Sequence, residues 1–486
     1  MQKGLVAMKA AASRRSALRF RAKSYPQHLS AARTTLASLA ANTSDAVALR
    51  QPPLPVVVDS GQFAVGRGSA GDHPSVLQFL LSIFHRPSAT EFQAQLDAPA
   101  YTPRDRLLVR RAGSIVAHAA LVRRQVRFGS LSLDTCSLRD FAVLPEYREQ
   151  GCGSALLAAA EQRLREDGLA FATLCTRRPQ FFLKRGWCIG ARHSYSLAHA
   201  SDILSHLRET EAPRCHALHP AERPLNVRLW RHVELAALKR LHVSNSCERY
   251  GPLVRNDDYW RWLIDRRGYD RIYVAIDGPD KLDLGEEWAP IVGYAVMRQE
   301  RILEIMTERD HPRAAGALLG RACGDAMERD THLVRIDAPA DDPLHQRLVT
   351  AGGCHYVHEA DSGEVFLVKI LDPVAFLRQT ASLFLDRARA ARVSLPCELG
   401  LKLDQERYGL SLLPAELQIQ EGKLGRSYLA CSRADFTQLA FGHLDLTAAQ
   451  QSGRLMASTR VAQDLAAALF LRRPLWHPPW DDQQAH

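Results

Sequence analysis

Residues 138–154 read LRDFAVLPEYREQGCGS, and this stretch decides the fold. An apolar run ends near Val143, and the glycine pair Gly151 and Gly153 then opens into a segment with apolar residues at helical spacing. The order predicts a strand, a glycine-rich loop and a helix. Successive backbone N–H groups at such a helix N-terminus can bind an anion, a pyrophosphate in particular. A Cβ at either glycine would hinder the approach of phosphate oxygens to the main chain.

Other phosphate-binding loops do not fit the spacing. The chain contains no Gly-x-x-x-x-Gly-Lys-Ser/Thr sequence and no glycine three residues after Gly153, so neither the P-loop nor the dinucleotide fingerprint matches. Downstream, Leu169–Cys175 is predicted as a strand, Pro179–Lys184 as a short helix and Gly186-Trp187 as a turn into a further strand. The alternative to a ligand-binding loop is a helix that simply begins after a tight turn.

The composition is that of a globular protein of several domains. At 486 residues the chain exceeds one core and should form roughly two to four domains. The longest apolar stretches, such as Val76–Phe84, are too short to span a bilayer. The ten cysteines include no Cys-x-x-Cys pair, so neither a zinc ribbon nor a redox pair is predicted, and no metal ligands are assigned. Scattered thiols fit a reducing compartment, so we expect a cytoplasmic protein.

The formal net charge of +10 is concentrated at the N-terminus. Residues 1–58 carry nine Lys or Arg and a single acid, Asp45, whereas the other 428 residues carry 54 basic and 52 acidic side chains. A nucleic-acid-binding fold should carry its basic patch on folded surface, so no nucleic-acid partner is expected. Residues 1–58 are predicted to be a disordered extension. A transit peptide and an over-extended start before Met8 both remain open explanations.

Residues 59–222 are predicted to form the first folded unit. Its early strands are expected at Arg106–Val109, Ile115–Val122 and Gln125–Leu133, before the strand that ends at Val143. Strands that precede a strand–loop–helix–strand segment indicate a mixed sheet flanked by helices. The fold class is therefore α/β, or α+β in its mixed form.

Residues 223–373 are predicted to repeat this order of elements. Leu138 and Gly186 are 48 residues apart in the first unit, and Ile302 and Gly353 are 51 apart in the second. Near-equal spacing of corresponding elements indicates an internal structural repeat. Chance similarity between two α/β units is the alternative.

The repeat differs at its loop. Arg309–Gly316 reads RDHPRAAG, without the glycine pair. Pro312 lacks an N–H group, and the charge of Asp310 would repel a pyrophosphate. The second unit is therefore predicted not to bind such a ligand.

The first loop carries a resemblance to a known family. Arg148–Gly153, as Arg-x-x-Gly-x-Gly between a strand and a helix, resembles the acetyl-CoA-binding motif of the GNAT N-acetyltransferases. Residues 374–486, with predicted strands before helices, resemble the sterol-carrier-protein fold through Phe436–Gly442, Ser452-Gly453 and Leu465–Phe470. Two GNAT-like units and such a domain, in this order, resemble the enhanced-intracellular-survival acetyltransferases.

The resemblance implies the architecture and the activity. The fold would be tandem GNAT-like mixed sheets flanked by helices, with a C-terminal sterol-carrier-like α+β domain. The protein would be an acyltransferase that moves an acetyl group from acetyl-CoA to a primary amine of a small molecule or peptide, and it would form a homo-oligomer, a hexamer in the family. A different class stays open, namely a non-catalytic CoA- or lipid-binding protein built on the same domains.

The resemblance also assigns the donor site. Backbone groups of Phe141, Ala142 and Val143 would hold the pantetheine in the manner of a neighbouring strand. Arg148 would neutralise charge near the pyrophosphate. The pyrophosphate itself would be cradled by the loop and first helical turn, which comprise Glu149, Gln150, Gly151, Cys152, Gly153 and Ser154.

The catalytic groups are less clearly marked. An amine with a pKa near about 10 must lose a proton before it attacks a thioester, which calls for a carboxylate base. Asp140 stands just before the pantetheine strand, where many GNAT enzymes place an acid, and a salt bridge is its structural alternative. The position of the family's tyrosine acid is occupied by Phe182. The family's C-terminal carboxylate has no direct counterpart because the chain continues past Trp480, which makes Asp481 or Asp482 a second candidate.

Overall fold

The computed structural model describes residues 63–215, 225–278, 290–473, 475–476 and 478–482. The predicted N-terminal extension, residues 1–58, lies outside the described residues. Within the described ranges the chain forms three β-sheets, each covered by helices, which confirms the mixed α/β class. No helix in these ranges has both the length and the apolar character that a membrane crossing requires.

The first part of the chain follows the predicted order closely. The predicted strand Gln125–Leu133 is wrong, however, because β3 and β4 form one long hairpin that turns at Gly129 (φ 66°) within that range. Apolar alternation continues through the turn and hides it. The elements are β1 (Val65–Arg67), α1 (His73–Phe84), α2 (Ala89–Leu96), β2 (Arg106–Arg111), β3 (Ser114–Phe128), β4 (Leu131–Val143), α3 (Cys152–Glu166), β5 (Phe171–Thr176), α4 (Pro179–Leu183) and β6 (Cys188–Ile189).

The second part repeats this sequence of elements from its second strand onward, with one short strand inserted that pairs with the tip of β3, and it adds a strand and a helix before the repeat and two strands after it. The elements are β7 (His193–His199), α5 (Ala200–Cys215), β8 (Leu225–Leu229), α6 (Leu235–Ser246), β9 (Tyr250–Leu253), α7 (Asp257–Asp265), β10 (Arg271–Asp277), β11 (Ile291–Arg298), β12 (Arg301–Thr307), α8 (Pro312–Glu328), β13 (Leu333–Asp337), α9 (Pro343–Thr350), β14 (Cys354–His358), β15 (Ala360–Asp361) and β16 (Glu364–Ile370).

The C-terminal part forms a five-stranded sheet with the order β19-β18-β17-β20-β21, and its helices lie before the first strand, between the last two strands and after the last strand in sequence. Its elements are α10 (Pro373–Gln379), α11 (Ala381–Ala390), β17 (Cys397–Leu403), β18 (Glu406–Leu412), β19 (Leu417–Glu421), β20 (Tyr428–Cys431), α12 (Arg433–Ala440), α13 (Leu446–Gln451), β21 (Leu455–Ala457), α14 (Arg460–Leu469) and α15 (Pro479–Asp482).

The first two sheets share one strand order. The first reads β1-β2-β3-β4-β5-β16, and the second reads β8-β10-β11-β12-β13-β7. Each sheet has one central parallel pair, β4 with β5 and β12 with β13, among antiparallel neighbours. This common order is the structural repeat that the spacing predicts.

The two sheets exchange their late strands. β7 follows the first unit in sequence but pairs with β13 and β14 of the second sheet. β16 ends the second unit but pairs with β5 and β6 of the first sheet. The predicted boundary at residues 222 and 223 therefore does not separate the two sheets.

The hairpin of β3 and β4 extends from the first sheet into a shared core. Near its tip, the ring of Phe128 stacks on Tyr250 with centroids 4.4 Å apart and contacts Phe376 and Phe441 of the C-terminal part edge-on. All four rings are buried. Burial of such rings is among the larger apolar contributions that a residue can make to stability. The opposite end of β4 is then free to carry a site.

Candidate functional site

β4 has an irregularity just before the predicted loop. Arg139 lies opposite Ala120 and Ala142 lies opposite His118, so β4 has one extra residue here, and Asp140 adopts φ 51°. Such a β-bulge bends its strand and increases the local twist. Left-handed backbone at a non-glycine residue costs on the order of 1 kcal/mol, so the surroundings must hold it.

β4 and β5 separate at the bulge. Their described parallel pairs run from Cys136 with Ala172 to Leu138 with Leu174, and they stop there. In the described part of the chain, the rest of β4 up to Val143 pairs only with β3. Apart from the carbonyl of Val143, which accepts from Nε of Arg148, its N–H and C=O groups on the β5 side are thus available to an extended ligand, which can bind as an added strand.

A buried histidine holds the bulge. Nδ1 of His118 lies 2.9 Å from the carbonyl oxygen of Asp140, and Nε2 lies 3.1 Å from Nη1 of Arg106. Because a guanidinium only donates, Nε2 accepts and the Nδ1–H group donates to Asp140. Burial, with the charge of Arg106, lowers the pKa of His118 to about 4, so the ring is neutral at pH 7. No motif or spacing marks His118 in the sequence.

The loop ends in the helix start that the sequence predicts. Glu149 (φ 63°) and Gly151 (φ 88°) are both left-handed, and Gly151 is the N-cap of α3. No side chain within the described ranges caps this N-terminus. The first-turn N–H groups and the positive end of the helix dipole therefore face the loop without a capping side chain.

The two glycines have different roles. A Cβ at Gly151 would meet no atom within 4 Å, so this position needs glycine for its backbone conformation and leaves room beside it. A Cβ at Gly153 would lie 3.3 Å from the ring of Phe181 and 3.5 Å from Val143. Gly153 thus lets α3 pack closely against α4 and β4. The sequence predicts that a Cβ here would hinder a phosphate, whereas the structure shows that it would crowd Phe181 and Val143.

The side chains of the loop mostly bind the loop itself. Nε of Arg148 donates to the carbonyl of Val143 at 3.1 Å, and the amide of Gln150 donates to the carbonyl of Glu146 at 2.5 Å. Cys152 is fully buried, and burial raises the pKa of its thiol. A buried, protonated thiol is a poor nucleophile, so Cys152 can serve a ligand only through its backbone.

Arg185 is a site residue that the sequence does not reveal. Its guanidinium donates to Oγ of Ser154 and to the carbonyl of Phe181, both at 2.7 Å, and lies 3.9 Å above the Phe181 ring centroid. A cation therefore lies beside the first turn of α3. The sequence shows that residue 185 is an arginine, but the orientation of its side chain depends on the turn after α4.

The gap that opens between β4 and β5 beyond Leu138 and Leu174 is called the slot. Phe182 lies in its wall. Its buried ring packs edge-on against Phe141 and Trp187, with centroids 5.3 and 6.1 Å away. This contact between α4 and β4 stabilises the slot. A phenyl ring cannot donate a proton, so Phe182 offers no general acid.

The C-terminal acids follow two different patterns. Asp481 is fully buried, and Arg255 donates to its two oxygens at 3.0 and 2.8 Å while also binding Glu304 at 2.9 and 2.6 Å. An enclosed carboxylate in this network anchors α15 and is unsuited to accept a substrate proton. Asp482 instead forms ion pairs with Arg124 and Arg139, so it lies next to the bulge.

The second unit has a different environment at the corresponding helix. α8 begins at Pro312, and the ring of His311 before it lies 3.3 Å from carboxylate oxygens of both Asp277 and Glu308. Carboxylates thus flank this N-terminus. Their charge would oppose the binding of a phosphate.

The parting of β4 from β5 next to the uncapped N-terminus of α3 characterises this class of domain. Sequence comparison identifies the class. Residues 65–190 match the acetyltransferase (GNAT) domain family. No curated protein matches the chain in sequence.

Solved structures share the fold over most of the chain. A GCN5-related N-acetyltransferase from Kribbella flavida is 18% identical with a TM-score of 0.62, covering 86% of this chain and 97% of its own. One from Anabaena variabilis is 15% identical with a TM-score of 0.64 and coverage of 86% and 99%. Eis1 from Mycobacterium abscessus is 14% identical with a TM-score of 0.58 and coverage of 85% and 99%. These proteins share the fold of this chain over most of their length at low sequence identity.

Proposed function

We propose that this protein is an N-acetyltransferase that moves an acetyl group from acetyl-CoA to a primary amine, with the donor bound in the first unit. One observation carries the proposal: β4 parts from β5 next to the uncapped N-terminus of α3. An extended pantetheine and a pyrophosphate need these two features side by side.

The donor would contact mainly backbone. Phe141, Ala142 and Val143 would bind the pantetheine amides along the open edge of β4. The N–H groups from Glu149 to Ser154 would bind the pyrophosphate. Arg148 and Arg185 would add positive charge, which strengthens hydrogen bonds to phosphate.

The chemistry needs one well-placed base. The amine nitrogen attacks the thioester carbonyl carbon, a C–N bond forms, the C–S bond breaks, and the thiolate leaves with the electron pair. A thiol pKa of about 8.5 makes that thiolate a fair leaving group even without an acid at Phe182. The amine must give up its proton, and we propose the half-buried Asp140 as its acceptor, directly or through water.

Gly151→Asp tests the donor site. The substitution places bulk and negative charge where phosphate would bind, so the affinity for acetyl-CoA should fall more than tenfold, or about 1.4 kcal/mol. Gly453→Asp is a matched control, because Gly453 has φ 71° and equally open surroundings in the C-terminal part. Calorimetry that gives the folded Gly151→Asp variant the wild-type affinity would refute the site.

The alternative function is binding without catalysis, and the absence of a hydroxyl at Phe182 favours it. The release of CoA thiol across a panel of amines distinguishes the two. Turnover of any amine supports the enzyme, whereas tight acetyl-CoA binding with no turnover supports the alternative.

We further propose that residues 374–486 form a sterol-carrier-like domain. Its five-stranded sheet with helices before, between and after the strands supports this, and Phe470 packs edge-on against Phe384 and Phe436 in its interior with centroids 5.4 and 5.9 Å apart. The family resemblance also motivates a cytoplasmic hexamer. Light scattering of the full-length protein tests the oligomer, and a fluorescent fatty-acid assay tests lipid binding.

A further inference from the structure

The last strand of the second unit completes the donor-binding sheet of the first. β16 pairs with β5 along Val365–Ile370 and with β6 at Leu367 and Val368. Because β5 is one wall of the slot, the outer edge of this wall comes from the other unit. The unit that lacks the anion loop thus contributes to the site of the unit that has it.

Lys369 connects β16 to the turn after α4. Its Nζ lies 2.8 Å from the carbonyl oxygen of Arg185 and 2.9 and 2.8 Å from the two carboxylate oxygens of Glu161 on α3. These acceptors match the three N–H donors of an ammonium group. The indole of Trp187 donates to the same carboxylate at 2.9 Å. The side chains of Lys369 and Glu161 are only 17% and 10% exposed, so the network is largely shielded from water.

The turn that Lys369 binds carries the site cation. The backbone of Arg185 is held by Lys369, and its guanidinium reaches Ser154 in the first turn of α3. Gly186, with φ 80°, brings the turn close to the lysine, since a Cβ there would lie 3.7 Å from Cε of Lys369. The place of a positive charge beside the anion loop therefore depends on a residue of the exchanged strand.

We propose that Lys369 is a positioning residue for acetyl-CoA binding: it fixes Arg185 beside the pyrophosphate subsite and makes the second unit part of the donor site. The inference rests on the proposed function of the first unit. Without Lys369, the carbonyl of Arg185 loses its anchor, and the guanidinium, which keeps only its own contacts with Ser154 and Phe181, is less firmly placed at the first turn of α3. The affinity that is lost is the part contributed by the pyrophosphate of acetyl-CoA.

Calorimetry with acetyl-CoA on full-length protein tests the proposal. Lys369→Met should weaken binding about tenfold, the range of one charge-assisted hydrogen bond. Lys402→Met makes the same change within β17 and should bind as the wild type does. Arg185→Met should also weaken binding, and Lys369→Met combined with Arg185→Met should weaken it no further, because both act through one guanidinium. Losses that multiply would contradict the proposal.

A second variant separates positioning from stability. Lys369→Met removes one of the two cations that pair with the largely buried Glu161 carboxylate, the other being Arg165 at 3.3 Å, and this loss lowers stability. Adding Glu161→Gln removes that charge and should recover most of the melting temperature, while the affinity stays about tenfold weaker. Wild-type affinity in either variant overturns the proposal. Failure of the wild type itself to bind acetyl-CoA refutes the proposed function, and this inference with it.

Discussion

Asp140 combines an unusual backbone with a candidate chemical role. Its φ of 51° is unfavourable for most residues, and the hydrogen bond from His118 to its carbonyl helps to maintain it. Asp and Asn tolerate this region better than other non-glycine residues. The strain is therefore modest, and the residue can be changed to Asn without a new backbone conflict.

Asp140→Asn should reduce turnover by at least about 100-fold while acetyl-CoA binding persists, because the basic oxygen is lost and the backbone is kept. CoA release on a competent amine measures the turnover, and calorimetry measures the binding. Asp134→Asn, on an exposed position of the same strand, is the control. Full turnover by Asp140→Asn would make Asp140 structural, and Asp482 would be the next candidate.

His118 should make the fold less stable in mild acid. Its folded pKa of about 4 lies below the ordinary value near 6.5, so below pH 6.5 the unfolded chain takes up a proton that the folded chain does not. Between pH 7 and pH 5 this costs about 2 kcal/mol of unfolding free energy. Urea unfolding at the two pH values measures it.

His118→Gln provides the comparison, since its amide can donate to Asp140 but does not titrate. Burial also lowers the pKa of His242 well below its usual range, so the variant keeps part of the acid sensitivity. The difference between wild type and variant isolates His118. An identical loss in both proteins would show that His118 is not the source.

At the scale of elements, the exchanged strands decide how the units can fold. β5 pairs with β16 at six positions, and β7 pairs with β13 and β14 at five positions each. A chain cut at the predicted boundary would leave β5 with an unpaired edge and β7 without a sheet. Unpaired edges of this kind favour aggregation.

Separate expression of residues 59–222 should therefore give no cooperative unfolding transition, because the first sheet lacks β16. Co-expression with residues 223–486 should yield a complex that co-purifies and unfolds cooperatively. Circular dichroism and affinity purification of a tagged fragment measure these outcomes. A stable, monomeric 59–222 fragment that binds acetyl-CoA would contradict the importance of the exchange.

At the scale of the whole molecule, two similar sheets carry two different loops. The first offers an uncapped helix N-terminus, and the second places Asp277 and Glu308 close to its helix start at Pro312. The repeat thus preserves the architecture and not the anion site. This asymmetry fits one donor site supported by both units.

Titration with acetyl-CoA should accordingly give one site per chain. Pro312 lacks an N–H group and the nearby carboxylates repel phosphate, so the second unit should add no binding. Isothermal calorimetry with an independently measured protein concentration gives the stoichiometry. A value near two would show that the second loop binds despite these features.

Local patterns in the sequence predict much of the first unit, although they miss the hairpin turn at Gly129. The glycine pair and apolar spacing from Leu138 onward are local signals, and they place the strand, the loop and α3 correctly. The near-equal spacing of elements predicted the repeat that both sheets show. Local patterns suffice here because backbone conformation and helix periodicity depend on neighbours in the chain.

Tertiary structure decided which strands pair and which side chains meet. β16 is an apolar strand and β7 alternates small buried residues with larger, less buried ones, and neither pattern indicates which sheet the strand joins, so their exchange leaves no sequence signal. His118, Arg185 and Lys369 act through partners distant in sequence, and burial of Asp481 beside Arg255 removes it as a base. Such contacts arise because packing of whole elements fixes where a long side chain ends, and that packing is set by the entire chain rather than by any one segment.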